Sequence, residues 1–407
     1  MARAPLPPVD PAADAAALLR RLGFATLMVA VPVAALVARR AVVVLAPIGV
    51  ALLVIAALLD RDHDGIVPDL KRIVTSPGGL AGTLLLGWMV LSLAWTPFRA
   101  AASERALNIL AVTGMMLAVY LALPGRMRVA NLYLAPVGVA AAAILAGVLA
   151  LSDLAIGRAV DEDGAGLERG IMVLVATSWP ALAWLRSRGR DLEALALAVA
   201  VAVAALMAPV GLPFAAFAVG GVVFALASIG LRLGVAVTAA ALAGAVALAP
   251  LAPFVLRPVA ALVLRRNDPL LVGLDAWRRV IGDDPLRFLI GRGFETAARG
   301  RFTGFLRPDA PISLPFDIWY DLGIVGAGAL ATALYAAVRA AGRAHAGLVP
   351  GAMAAFATAF TLCCLGVTPV QLWWFTTLWI AAFVFLAADR GQFRTRRPKA
   401  VSGVVRR

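Results

Sequence analysis

The sequence predicts an all-α fold, a polytopic bundle of about twelve transmembrane helices, and three observations carry that prediction. Of the 407 residues, 62% are hydrophobic and only 15% charged, with a mean hydropathy of +0.91. A soluble core stops growing well short of this apolar content, because the surface of so long a chain must then turn polar. Apolar runs of roughly 17–25 residues, the length a tilted helix needs to cross a bilayer, recur from one end to the other. Finally, the basic residues gather between those runs rather than in one patch. The net charge of +14 therefore reads as topology determinants and contacts for anionic lipid, and not as a nucleic-acid surface.

Taken in order, residues 1–21 form a Pro/Ala-rich arm, expected on the cytoplasmic side. The apolar run that follows lacks a convincing cleavage site and is read as a retained helix. Spans are expected at 22–38, 41–59, 78–96, 106–123, 129–151, 170–185, 192–209, 211–230, 233–256, 316–337, 348–367 and 369–388. Residues 22–256 thus hold nine spans, 257–315 a long loop, 316–388 three more spans, and 389–407 a basic tail. Short connections on one side carry Arg61, Lys71, Arg72, Arg126, Arg128, Arg186, Arg188, Arg190, Arg232, Arg339 and Arg343. The other side carries fewer, among them Arg99, Arg105, Arg158 and Arg169. The charge bias places both termini in the cytoplasm and the long loop outside. Cys363 and Cys364 are adjacent within an apolar run and read as small packing residues. His63 and His345 have no partner at ligand spacing, so neither a metal nor another cofactor is expected.

The long loop is basic, with Arg257, Arg265, Arg266, Arg278, Arg279, Arg287, Arg292, Arg299, Arg301 and Arg307. Long loops translocate whatever their charge, so the arginines leave two readings open. They pair with Asp268, Asp275, Asp283, Asp284, Glu295 and Asp309 and with lipid phosphates, or they hold a phosphorylated, membrane-borne substrate, to which guanidinium forks are suited. Asp268–Pro269 starts a helix in which Leu270, Leu271, Leu274, Trp277 and Ile281 recur at helical spacing. It is expected to lie on the membrane surface, presenting Arg278 and Arg279. "GRGFE" reads as a turn. "SLPFDIWYDLGIVG" then places Asp317 and Asp321 on one helix face. There they either cap the helix and pair with Arg169 or do chemistry. Trp319, Tyr320, Trp373 and Trp374 are expected as interface anchors, and Trp95 and Pro97 as the residues that shape the end of the third span.

Several segments, in order, resemble the O-antigen ligase and polymerase superfamily of multi-span inner-membrane glycosyltransferases. "GWMVLSLAWTPFRAAASERALNIL" resembles its early Ser–x–x–Trp–Ser/Thr–Pro pattern. "LERGIMVLVATSWPALAWL" resembles its Asn–Arg–Gly segment, with Glu168 in place of Asn and with Arg169 and Gly170 matched. "FDIWYDLGIVGAG" resembles its Glu–Leu–Gly–x–x–Gly helix, with Asp321 at the Glu. The resemblance spans roughly residues 78–337 and departs in one respect: Ile312 and Ser313 stand where the family has a His–Asn pair, so that His role is not carried over.

The resemblance implies metal-independent transfer of glycan from a polyprenyl-diphosphate donor to a lipid or glycan acceptor, at the outer face of a bacterial inner membrane. The chemistry needs cations on the departing diphosphate, with Arg169, Arg278, Arg279 and Arg292 as candidates. It also needs a base on the acceptor hydroxyl, with Asp317 the candidate and Asp321 a helper or anchor. Two other classes remain. One is a transporter or flippase for lipid-linked glycan, disfavoured by span interiors of Ala, Val, Leu and Gly. The other is a non-catalytic scaffold in a glycan-assembly complex.

Overall fold

The computed structural model describes residues 11–60, 66–125, 127, 129–151, 165–262, 265, 268–367 and 371–392. The expectations for residues 1–10 and 393–407 and for Arg61, His63, Arg126, Arg128, Arg158 and Arg266 lie outside the described residues. Among the described residues the chain is all helix, with no strand. Eight helices are long and apolar enough to cross a membrane, or up to nine if one bent pair is a single span. Apolar side chains cover their outsides: Leu107, Ile144 and Ile229 are 67%, 67% and 87% exposed. Surface of that kind belongs against lipid, so this is a helical membrane protein.

The helices run as follows. The first, α1 (Pro11–Ala34), starts well before residue 22, and its backbone widens to π geometry over Thr26–Ala30. Pro32 lies just beyond, without an N–H and with a ring that crowds the preceding turn. Next come α2 (Ala41–Leu59), α3 (Ile66–Thr75) and α4 (Pro77–Ala94). Ser76 caps α4 by accepting from Gly79 N at 3.0 Å, with Pro77 at the first helical position. There follow α5 (Arg99–Ala122), α6 (Val129–Leu151), α7 (Ala165–Ser187), α8 (Asp191–Leu206) and α9 (Leu212–Ile229). Where one span was expected over 233–256, α10 (Leu231–Ala247) and α11 (Ala249–Ala260) meet at 66°. Pro250 and Pro253 disfavour continuation, because a residue before proline is pushed away from helical backbone.

The loop forms three short helices, α12 (Pro269–Asp283), α13 (Arg287–Ile290) and α14 (Thr296–Thr303). The chain then returns through α15 (Leu314–Ala341), α16 (Val349–Cys364) and α17 (Leu372–Arg390). Each range expected to span therefore contains a helix, while α7, α8, the bent α10–α11 pair and α16 fall outside the eight that meet the length and hydropathy test.

The centre of the bundle is α7, which packs on α6, α8, α16 and α17. Every residue from Gly170 to Leu185 is buried. Its hydroxyls are satisfied locally: Thr177 and Ser178 donate to the carbonyls of Val173 and Val175, both at 2.8 Å, whereas Trp184 Nε1 is buried with no hydrogen-bond partner. Trp179 Nε1 donates to Thr358 Oγ1 at 2.8 Å, and that hydroxyl donates to Ala216 O at 3.1 Å. A second packed region, at the loop end, joins α12, α13 and α14 to α10, the start of α11 and α15 through Trp277, Phe288, Phe316, Trp319 and Tyr320.

Candidate functional site at the loop end

Three segments of chain meet here: Ser92–Thr96 at the end of α4, Gly291–Thr296 in the loop, and Ser313–Gly323 at the start of α15. Ser313 caps α15, accepting from Phe316 N at 3.4 Å, so the cap falls to a serine rather than to either aspartate. The helix is then broken at Gly323, whose φ of 62° and ψ of −158° are not helical. A break of this kind frees the carbonyls of the preceding turn, and the loop occupies them. Arg292 N donates to Tyr320 O and Gly293 N to Asp321 O, each at 2.9 Å. Trp88 Nε1 donates to Leu322 O at 2.9 Å.

Glycine is required for this closeness. A Cβ on Gly291 would lie 2.2 Å from Asp321 O, and one on Gly323 would lie 2.6 Å from Gly291 N. Both residues have positive φ, which other residues adopt only with strain. Ser92 and Thr96 fasten the other side. Ser92 Oγ accepts from Phe294 N at 3.1 Å, and Thr96 Oγ1 donates to Phe294 O at 2.9 Å.

Asp321 is buried, and both its oxygens are used. Oδ2 accepts from Glu295 N at 3.0 Å and Oδ1 from Ala297 N at 2.7 Å. A carboxylate at the N-terminus of α14 satisfies donors that have no partner within the helix. Asp321 therefore positions the loop through both of its oxygens. Asp317 is also buried and pairs with Arg301, which additionally donates to Pro311 O at 2.6 Å. Its expected partner Arg169 lies elsewhere, with its guanidinium over the Trp373 ring at 5.9 Å.

The other arginines proposed for a diphosphate have separate neighbours. Arg292 lies over the Tyr320 ring at 4.5 Å, with its Nη2 3.7 Å from Asp284. Arg278 lies over Phe254 at 6.0 Å, and Arg279 beside it is exposed. The amphipathic face of α12 also departs from expectation. Leu271, Leu274 and Trp277 are buried on protein rather than lipid, with Trp277 edge-on to Phe316 at 5.3 Å. Trp319, Tyr320 and Trp374 are buried too. The Trp319 N–H donates to Val246 O at 2.7 Å and that of Trp374 to Cys363 Sγ at 3.2 Å. They hold the interior together rather than anchoring an interface.

Glu295, which the sequence marks only as one of six loop acids, is the most unusual group in the site. It is 2% exposed and is the one non-glycine residue with positive φ (68°) among the described residues, a conformation costing about 1–3 kcal/mol that persists where surrounding contacts enforce it. The Asp321 carboxylate on its N–H is such a contact. Its Oε1 lies 3.8 Å from Arg105 Nε and 3.6 Å from Arg299 Nε, while Oε2 is buried with no hydrogen-bond partner. Burial pushes the Glu295 carboxyl above the ordinary glutamate range; Arg105 and Arg299 pull it back, and Asp317 adds to the rise. Arg301 Nε, across the Asp317 pair, is a buried donor that likewise has no partner.

Local sequence carried faint signals of this. Glu295 closes a turn between two positive-φ glycines and a helix start, and Arg105 lies nearly two turns into α5. Nothing in their spacing says that they meet. Among the described residues no group of three His, Cys, Asp or Glu side chains could hold a metal ion. A cavity of about 370 Å³ lies at the opposite end of the bundle, between α1 and the start of α6, and none of these acids lines it. No family model, no curated protein and no solved structure matches the chain.

Proposed function

We propose that the protein is a membrane glycosyltransferase resembling the O-antigen ligases, moving glycan from a polyprenyl diphosphate to a hydroxyl acceptor at the loop end of the bundle. The observation that carries this reading is Glu295, buried, held in left-handed backbone and with one carboxylate oxygen unpartnered, beside two arginines. Strain and an unsatisfied buried ionisable group are features that stability alone does not favour.

In the reaction the acceptor O–H gives its proton to Glu295 Oε2 as the oxygen attacks the anomeric carbon. The bond from that carbon to the diphosphate oxygen breaks, and the diphosphate leaves with the electron pair. Arg105 and Arg299 suit the departing charge. At 3.8 and 3.6 Å from Glu295 their contacts are ion pairs rather than hydrogen bonds, so guanidinium donors remain for phosphate oxygens. Asp317 keeps Arg301 in place, and Asp321 keeps Glu295 in place. Residence in a bacterial inner membrane with the loop outside, and twelve spans in all, complete the proposal.

A transporter is the second reading, and the observations that favour it are the breaks at Gly323 and between α10 and α11, since broken helices are common around transported substrates. The test is glycan transfer in reconstituted membranes, comparing wild type with Glu295→Gln and Asp317→Asn at matched protein levels. Transfer lost in Glu295→Gln supports the assignment. Transfer kept there removes the base. Absence of transfer by wild type, with flux of lipid-linked glycan across the bilayer, favours the transporter.

A further inference from the structure

At the end of the bundle far from Glu295, the 370 Å³ cavity is lined by Leu18, Arg20, Arg21, Pro124, Met127 and Asn131, among others. Its chemistry is that of an anion site flanked by apolar side chains. Arg20 and Arg21 are adjacent on α1. Arg20 pairs with Asp60 through one nitrogen, and a guanidinium has five donors. Arg21 is exposed and makes no ion pair with any described residue. Asn131 is only 9% exposed and lines the cavity, and among the described residues its amide makes no hydrogen bond. Leu18 and Leu22, three residues before and one after Arg21 on the same helix, are 60% and 47% exposed. A phosphate in the cavity would therefore have apolar side chains beside it, along which acyl chains can lie.

We infer that this cavity binds the phosphate headgroup of an anionic membrane lipid, held by Arg20, Arg21 and Asn131. The site is separate from the proposed transfer site and does not depend on that reading. Binding there would tie the first half of α1 to the start of α6 and, through Asp60, to the end of α2, so the lipid would act as a clamp on three helices.

The experiment is native mass spectrometry of the full chain released from nanodiscs of phosphatidylglycerol and phosphatidylcholine, with Arg21→Gln and Asn131→Ala as separate variants. Both leave the Arg20–Asp60 pair intact. A single arginine near a charged membrane surface contributes about 1 kcal/mol, so Arg21→Gln should weaken retention of one phosphatidylglycerol about fivefold. Asn131→Ala should weaken it as well, while retained phosphatidylcholine stays unchanged. Equal retention by wild type and both variants would overturn the inference. So would equal retention of the zwitterionic lipid, which would leave an unselective apolar groove. Displacement of phosphatidylglycerol by millimolar inorganic phosphate would identify a free-anion site and overturn the lipid assignment.

Discussion

The central helix α7 and the first turns of α15 are buried to a similar degree, yet they treat their polar groups in opposite ways. Along α7 the buried polar atoms are neutral, and Thr177 and Ser178 bond back to their own helix. Around α15 the buried groups are ionisable: Asp317, Asp321, Glu295 and Arg301. Two of their atoms, Glu295 Oε2 and Arg301 Nε, have no partner. The difference teaches that burial alone marks nothing. A buried hydroxyl bonded to its own helix belongs to packing, whereas buried charge with open hydrogen-bonding capacity is costly and points to a ligand or a reaction.

The comparison can be broken most directly at Glu295. Glu295→Gln is expected to lower transfer about 10²- to 10⁴-fold, the usual contribution of a positioned base, with helix content unchanged by circular dichroism. Full activity in that variant would leave the unpartnered oxygen without a role. Next comes Asp321→Ala, which strips two bonds to a charged acceptor worth roughly 1.5–3 kcal/mol each. The loop should then become sensitive to protease between residues 284 and 310 while the bundle remains inserted. Resistance equal to wild type would argue that the glycines hold the loop unaided.

Thr96→Val sharpens the same contrast at smaller scale. Its hydroxyl bridges two segments, donating to Phe294 O, and its loss should cost about 1 kcal/mol of loop stability. Thr177→Val in α7, where the hydroxyl only bonds back to its own helix, should alter neither loop protection nor transfer. Similar loss in both variants would erase the distinction between the regions.

The smallest effect is on pH. Because burial raises the Glu295 pKa, the acid limb of the transfer profile should lie above the ordinary glutamate range. The carboxylate is the active form, so transfer falls as pH drops through that raised value. The same shift makes ionisation harder in the folded state than in the unfolded chain, so this group's contribution to stability declines as pH rises through the window. Removing a neighbouring cation with Arg105→Gln should move the limb to higher pH, and an unmoved limb would assign it to another group.

Much of the fold was legible in the sequence. Apolar runs fixed where helices form, since a backbone in lipid must satisfy its own hydrogen bonds, and Asp268–Pro269 gave the start of α12. The π turn before Pro32 and the bend after Ala247 were not read, although their prolines were visible. Proline identity states that a helix is disturbed without stating by how much. The number of apolar runs also overstated the helices that meet the spanning test, because α8 and α16 are short and α7 is less apolar. A helix wrapped in protein need not be as apolar as one facing lipid.

What the sequence determined by itself is the class of molecule, its helical elements and the presence of acids and arginines near the loop, because composition and periodicity are local properties. Tertiary structure alone decided which charges meet. Asp321 became an anchor and Asp317 the partner of Arg301, while Arg169 went to Trp373. Glu295 was drawn from a loop of ordinary-looking charges into a buried, strained position. The physical reason is the break at Gly323: it frees carbonyls that only a remote segment can occupy, and contacts between residues 292–297 and 320–321 leave no period in the chain to be read.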